Sequence, residues 1–375
     1  MMERKNEKND TRSVSLTLTE SCNLACVYCY EHNKNAKVMS IETAKGIIDR
    51  ELNDVSAPVV AIDFFGGEPF LEFERMRELV EYISTKKWPV KVKCSTCTNG
   101  TLIHGNIQEW LYENRENFVV GLSLDGTKAM HDYNRSNSFD SIDLEFFRKC
   151  WPGQTVKMTV SPYSLRSLAK GVIFIHEMGF NVACNLAYGV DWNDPENVEV
   201  LEHELFKLIE YYMNHPTVKP CTMLSMGIEY VDGSVPNEIA KWCGSGNYMH
   251  TYDVDGNVYP CQFFMPLSVG TDKAKKLEEI DILSSIPVSY MGEECAACPF
   301  VHICPTCIGS NYSETGELYA KSNSVCKCMK VIIAANSYFK WLQVDGGYFD
   351  CNLDQKNRIL RGIQVVQSHL FSATD

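Results

Sequence analysis

Cys22, Cys26 and Cys29 lie in the run Ser21-Cys22-Asn23-Leu24-Ala25-Cys26-Val27-Tyr28-Cys29, and their C-x3-C-x2-C spacing is the most specific chemical signal in the chain. Three thiolates within eight residues can wrap one face of a [4Fe–4S] cube, whereas a cluster held wholly by protein takes four cysteines. One iron is then left open to a small molecule, as the fourth position of a catalytic zinc is. The competing readings are a zinc site and ordinary core cysteines. Zinc prefers paired C-x2-C units, and this triplet follows a predicted strand as a loop.

A second set of cysteines lies toward the C-terminus. Cys243 is followed by twelve residues, Gly256, four residues and Cys261; then come Cys295-x2-Cys298-x5-Cys304-x2-Cys307, and finally Cys326 and Cys328. Eight thiolates would fill two four-cysteine clusters. A zinc ribbon is the alternative, but it separates its C-x2-C pairs by about 15–20 residues, and here five intervene. Cys94 and Cys97 sit inside a predicted strand, away from a helix N-terminus that would stabilise a thiolate, and read as core filling. Cys150, Cys184 and Cys351 have the same reading as small hydrophobes, and His176 reads as a structural histidine.

The elements that must position these residues alternate. Strands are expected at Val14–Thr19, Val59–Phe65, Val90–Thr98, Phe118–Leu124, Thr155–Ser161 and Asn181–Ala187, with apolar residues at helical spacing over Ile41–Leu52, Glu72–Thr85, Phe139–Cys150 and Leu165–Met178. Gly179 is the expected stop of the last helix. Six strand-then-helix units predict an α/β fold with a parallel sheet, either doubly wound or a partial barrel. The unusual residues favour the barrel, because they cluster just after strands: the triplet after the first, Gly66-Gly67-Glu68-Pro69 after the second, Thr98-Asn99-Gly100 at the third and Asp125-Gly126 after the fourth. That is the face on which barrel active sites lie. The expected organisation is a disordered tail over 1–12, the partial barrel over 13–215, a connector over 216–240, a metal-held cysteine-rich domain over 241–335 and a helical segment over 336–375.

Bulk properties exclude several classes of function. The 375 residues are 45% hydrophobic and 22% charged, which suits a globular protein with a sizeable core. A net charge of −13 argues against nucleic acid, which needs lysine and arginine to displace counterions. Residues 1–12 lack a signal-peptide pattern, and the longest apolar run, Val331–Ala335, is too short to span a bilayer. Seventeen cysteines without an export signal point to reduced thiols in the cytoplasm.

The triplet with Tyr28 before its last cysteine resembles the C-x3-C-x-aromatic-C motif of the radical S-adenosylmethionine (SAM) enzymes. Gly66, Gly67, Glu68 and Pro69 are similar to that family's motif for the SAM amino group, Ser123 and Asp125 to its ribose contacts, and Thr98 and Asn99 to its third-strand loop; Arg135 is a candidate partner for the SAM carboxylate. The C-terminal cysteines resemble the SPASM domain, an extension with auxiliary iron–sulfur clusters found mostly on enzymes that modify peptides. This chain has one residue fewer before Cys307 and two closing cysteines in place of one. The resemblance implies three [4Fe–4S] clusters in all. Cys243, Cys261 and Cys307 would hold the nearer auxiliary cluster, completed by Cys221, by a spare closing cysteine or by substrate. Cys295, Cys298, Cys304 and either Cys326 or Cys328 would hold the farther one.

The implied reaction is reductive cleavage of SAM to a 5′-deoxyadenosyl radical, which abstracts hydrogen from a carbon of a ribosomally made precursor peptide or protein and leads to cross-linking, dehydrogenation or a related change. Flavodoxin or ferredoxin would supply electrons. Only thirteen residues precede the first expected strand, so the leader-binding module of many such enzymes is expected to be absent, with substrate recognised by the second domain or by a separate recognition protein. In the anaerobic sulfatase-maturating enzymes an aspartate base follows the glycine-linked cysteine. Gln262 stands there, and an amide cannot take a proton in that role, so formylglycine formation and dehydrogenation of a sugar or alcohol are the secondary readings, and the base is unassigned. A plain iron–sulfur electron carrier would need no SAM-binding loops.

Overall fold

The structure, a computed structural model, describes residues 11–231, 238–240, 243–277, 282, 285–287, 291–305, 307–320, 323–348 and 352–370. Ten strands are described: β1 (Thr11–Thr19), β2 (Val59–Gly66), β3 (Lys91–Thr98), β4 (Phe118–Leu122), β5 (Thr155–Val160), β6 (Asn181–Leu186), β7 (Glu238–Ala240), β8 (Met249–Tyr252), β9 (Val258–Tyr259) and β10 (Ser285–Pro287). The six strands expected between residues 14 and 187 all form, within a few residues of their expected ends. The chain divides into two compact units, one holding the described residues of 1–123, 135–154 and 243–284, the other those of 124–134, 155–242 and 285–375.

The first unit is built on one sheet in the order β4-β3-β2-β1-β8-β9. β1 to β4 run parallel, in register through Val14, Ile62, Cys94 and Phe118. These residues and their i±2 neighbours Leu16, Val60, Phe64 and Val120 are buried under helices, the arrangement that βαβ crossovers impose on a parallel sheet. The helix Ile41–Asn53 shows how the sequence builds the cover. Ser40 caps it, its hydroxyl accepting the Thr43 N–H at 3.0 Å, and Ala44, Ile47, Ile48 and Leu52 form the buried stripe. Each of the larger three contributes about 1.5–3 kcal/mol by burial. The other sheet face carries small and polar residues, with Ala61, Asp63, Ser95 and Cys97 half-buried and Ser95 donating to Asp63 at 3.2 Å. Cys94 therefore belongs to the core, as expected, and Cys97 to the polar inner face.

β8 is the element that the sequence pattern did not announce. It adds parallel to β1, Ser13 opposite Met249 and Leu16 opposite Tyr252, and β9 folds back on it antiparallel. A buried polar cluster secures this edge: Glu51 on the first helix ion-pairs with Arg12 (3.0 Å), lies within hydrogen-bond distance of His250 Nδ1 (3.1 Å) and accepts from the Tyr252 hydroxyl. Residues 243–277 thus belong with the first strands, not with a separate domain beginning at 241. Thr11 and Arg12 are likewise part of β1 and not of a tail, the buried Arg12 guanidinium being paired with both Glu51 and Asp54.

The second unit holds the parallel pair β5-β6, the antiparallel pair β7-β10, and the helices Glu196–Asn214, Asn323–Asp345 and Leu353–Leu370. Within it Leu124 N–H donates to Lys157 O at 2.9 Å, beside β5. The stretch expected as a connector is packed instead: Met223, Leu224, Ile228 and Val231 are buried, and Asn336 accepts the Met226 N–H and donates to Met223 O, both at 2.8 Å. Ile228 and Val231 share one core with Phe300, Ile303, Ile333, Ile359, Ile363 and Val366. No boundary falls at 335/336, since one helix runs through it. Among the described residues no helix is long and apolar enough to cross a membrane.

Candidate functional site

β1 ends at Thr19, and the chain then loops through the cysteine triplet before returning to pair Val38 with Thr19. Cys22, Cys26 and Cys29 are all half-buried. Local turns shape the loop: Cys29 N–H donates to Cys26 O at 3.1 Å and Leu24 N–H to Cys22 Sγ at 3.5 Å. Neighbouring loops then fix it. Ala25 N–H donates to Ser136 Oγ at 3.0 Å, Asn23 Nδ2 to Thr101 Oγ1 at 2.8 Å, and Asn99 Nδ2 to Asn23 Oδ1 at 2.9 Å. Ser136 and Asn137 both take the left-handed conformation, φ 57° and 56°, which aims the Ser136 hydroxyl at the loop.

Gly66 and Gly67 are required here by the chain itself. A Cβ on Gly67 would lie 2.3 Å from Ser21 O and 2.9 Å from the Cys22 Cβ, and one on Gly66, at φ 148°, would lie 2.3 Å from Thr19 O. The backbone uses this closeness, with Gly67 N–H donating to Thr19 O and Glu68 N–H to Ser21 O, at 3.1 and 2.9 Å. Pro69 then opens a short 3-10 helix, Pro69–Glu72. The carboxylate of Glu68 is buried and accepts from Thr98 Oγ1 (2.7 Å), Asn99 N–H (2.8 Å) and Phe70 N–H (3.2 Å). It joins the second-strand loop to the third.

Ser123 extends the same ladder, its N–H donating to Thr98 O at 3.0 Å and its hydroxyl 4.0 Å from Cys97 Sγ. Arg135 stands over the Tyr28 ring, 5.5 Å from its centroid, and its charge reaches Glu68. Asp125 belongs to the second unit, fully buried, its carboxylate accepting from Thr159 N–H at 2.9 Å and Asn134 Nδ2 at 3.2 Å. It is bound up in bracing β5.

The electrostatics are those of a site short of positive charge. Burial raises the Cys22 thiol to about 11, against the Leu24 N–H and Lys34, which favour the thiolate. Burial also raises Glu68, outweighing its three hydrogen bonds and Arg135, and raises Glu31 to about 7 despite Lys34. Burial pulls the Lys34 ammonium down, but the Cys29 and Cys22 thiolates outweigh this and leave it raised. A metal centre and a cationic ligand would supply what is lacking. Among the described residues no three His, Cys, Asp or Glu side chains are placed to hold a single metal ion. A [4Fe–4S] cube makes a different demand, since three cysteines bind three separate irons and need not converge on one point.

Gln262 follows Cys261 in a short 3-10 helix, its carbonyl accepting from Ser268 Oγ at 2.8 Å. The next residue, Phe263, stacks on Tyr30 with centroids 4.2 Å apart. Cys261 is buried and Cys243 exposed, both in the first unit.

In the second unit Cys295, Cys298, Cys304 and Cys326 line a single cavity of about 290 Å³, with Lys330 beside them. Tight turns bring the first three together, Cys298 N–H donating to Cys295 O at 3.1 Å and Cys304 N–H to Phe300 O at 2.8 Å. Cys326 reaches in from the first turn of the helix Asn323–Asp345. Cys328, two residues on, is turned by roughly 200°; it is fully buried and does not line the cavity. Cys307 caps the helix Ile308–Thr315, its Sγ accepting the Ser310 N–H at 3.4 Å, and lines a separate cavity with Cys184, Met223 and Met329. Cys221 is fully buried beside Tyr212, whose hydroxyl accepts its N–H at 2.9 Å, and it lines neither cavity. Cys150 and Cys184 are buried too, and His176 is structural, held by Phe180 O and the Tyr212 hydroxyl. Cys351 lies outside the described residues.

The spacing of cysteines gave no hint of Asn23, Glu31, Lys34, Thr101 or Ser136. The adjacent Ser136-Asn137, small polar residues that tolerate a left-handed backbone, is the nearest thing to a signal.

The chain is similar to several known proteins. Over 331 residues the chain is 27% identical to the cysteine-type anaerobic sulfatase-maturating enzyme of Clostridium perfringens strain 13, covering 76% of this chain and 85% of the relative. A serine-type enzyme of the same kind from Bacteroides thetaiotaomicron is 36% identical over 129 residues, 31% of this chain and 30% of that one. The solved structure of native anSMEcpe with bound AdoMet superposes with a TM-score of 0.67 at 22% identity, over 90% of this chain and all of the other. Streptococcus suis SuiB bound to its precursor peptide SuiA gives 0.54 at 16% identity, over 85% and 76%. At these identities the superpositions speak to the fold alone. The profile of the radical SAM superfamily matches residues 16–203, the span that holds the triplet, the Gly66–Pro69 turn and the Thr98-Asn99 loop. With half its length matched and that site assembled within it, the chain belongs to the radical SAM superfamily.

Proposed function

We propose that this protein is a radical SAM maturase that abstracts hydrogen from a carbon of a peptide or protein, in the cytoplasm, and that it carries three [4Fe–4S] clusters. The observation that carries the auxiliary-cluster part is the cavity lined by Cys295, Cys298, Cys304 and Cys326, a full ligand set for one cluster. Cys326, and not Cys328, is its fourth ligand on this reading. Cys243, Cys261 and Cys307 are carried forward from the resemblance alone as ligands of the other auxiliary cluster.

When bound, the first cluster supplies the electron that cleaves SAM, and the deoxyadenosyl radical so formed takes the hydrogen atom. The protein's own part is placement. Cys22, Cys26 and Cys29 would hold three irons; Glu68, kept in position by Thr98 and Asn99, and the Gly66–Gly67 backbone would take the amino-acid end of SAM; Arg135 would offer its guanidinium to the carboxylate. Ser123 is assigned to the ribose. Asp125 is carried forward as a ribose contact from the resemblance alone, its carboxylate being already engaged with Thr159 and Asn134. A small reductant protein such as flavodoxin or ferredoxin would deliver the electron, and a separate recognition protein would present the peptide if the second unit does not bind it directly.

Formylglycine formation is the second reading, favoured by the 85% coverage of the sulfatase-maturating relative. Gln262 opposes it, because an amide is no base. The test is mass spectrometry after incubation with SAM and reductant. Conversion of a sulfatase-derived cysteine peptide to formylglycine would favour the second reading; modification only of a short peptide encoded beside this gene supports the first. Oxidation of a sugar or alcohol instead would remove both.

A further inference from the structure

We propose that Glu31 binds the α-ammonium group of SAM and so positions the cofactor alongside Glu68. The inference rests on the reading of the cysteine loop as the SAM site. Glu31 is the second residue after Cys29; it is 7% exposed, and its Oε1 is buried with no hydrogen-bond partner. Buried carboxylate oxygens in folded proteins almost always have a donor, since an unsatisfied one keeps its full desolvation cost. The charges that reach Glu31 are those of Lys34, Glu20 and Glu68. Each is already engaged: Glu20 accepts from Asn35, Glu68 from Thr98, Asn99 and Phe70, and Lys34 is drawn to the Cys29 sulfur. Of the three carboxylates around the loop, Glu31 is the one left with a buried oxygen lacking a donor.

The missing donor therefore arrives with the ligand, and its charge is the clue. A carboxylate among thiolates and other carboxylates is matched by a cation. SAM has two cationic centres, and only the ammonium has N–H groups to donate, since the sulfonium has none and the adenine amine is neutral.

The test uses anaerobically reconstituted wild-type protein, Glu31→Gln and Glu31→Asp, matched for iron content, with dissociation constants from equilibrium dialysis. Two probes are compared: SAM, and the analogue in which hydrogen replaces its amino group. The expected result is a loss of SAM affinity of about ten-fold or more in Glu31→Gln, partial recovery in Glu31→Asp, and equal binding of the deamino analogue by all three. Unchanged SAM binding in Glu31→Gln, or an equal loss for both probes, overturns the proposal. If Glu31→Gln does not load iron, Glu31→Asp alone decides: its SAM affinity must fall while its affinity for the analogue does not. Wild-type protein that bound no SAM would overturn the underlying site reading instead.

Discussion

Gly67 and Cys326 are the residues at which the account is most exposed to a single substitution. Gly67→Ala drives a methyl into Ser21 O and the Cys22 Cβ, backbone-borne atoms that cannot swing aside. It is expected to cost about 1–3 kcal/mol in urea unfolding and to lower iron retention at the first cluster. Gly46→Ala is the control: nothing lies within 4 Å of its Cβ, and in a helix the change should stabilise by up to about 1 kcal/mol. Cys326→Ser should remove about four irons per chain while Cys328→Ser removes none; the opposite pattern would return the assignment to Cys328. The ligands were legible in sequence because a cluster demands cysteines at short, fixed separations. Glu31 and Ser136 were not, because their meaning depends on loops brought together only by folding.

At the scale of elements, β8 is the piece that sequence pattern could not supply. Four residues, Met249 to Tyr252, are too few to show a period, and they are a strand because β1 offers a free edge and Glu51 a buried anchor. Burial alone would raise the Glu51 carboxyl, but hydrogen bonds from His250 and Tyr252 and the charge of Arg12 outweigh it and hold it below its usual 4.5. A depressed folded value means that the carboxylate's contribution is complete above pH 4.5 and is lost as pH falls through the lower folded value. Glu51→Gln, which removes one of the two carboxylates paired with the buried Arg12 guanidinium and leaves Asp54, is therefore expected to cost about 1.5–3 kcal/mol at pH 7. The deficit should narrow below pH 4.5 when denaturation midpoints of the two proteins are compared. A deficit that stayed constant into acid would mean that packing, not charge, ties β8 to the first helix. The first six strands, by contrast, were readable to within a few residues, since a parallel sheet buried under helices leaves long apolar runs bounded by glycine and proline. The supposed connector misled for a related reason: its prolines obscured four buried apolar residues, Met223, Leu224, Ile228 and Val231, that have no regular period.

For the whole molecule, the division into compact units follows contacts and not chain order: one boundary falls at 242/243, close to the expected 240, but the residues after it join the first strands, and none falls at 335. A cysteine-rich stretch looks like a domain in sequence, yet residues 243–277 extend the first sheet and residues 291–370 close a core with Ile228 and Val231. The iron content of the intact protein after anaerobic reconstitution is expected to be about twelve per chain, and a value near four would remove both auxiliary clusters. The central claim, that Cys22, Cys26 and Cys29 support radical chemistry on SAM, is tested most directly by quantifying 5′-deoxyadenosine released from SAM by the reconstituted, reduced protein and by its Cys26→Ala variant. The account predicts steady release by the wild type and none by the variant, which should still retain about eight irons; release undiminished in Cys26→Ala, or none from a fully loaded wild type, would contradict it.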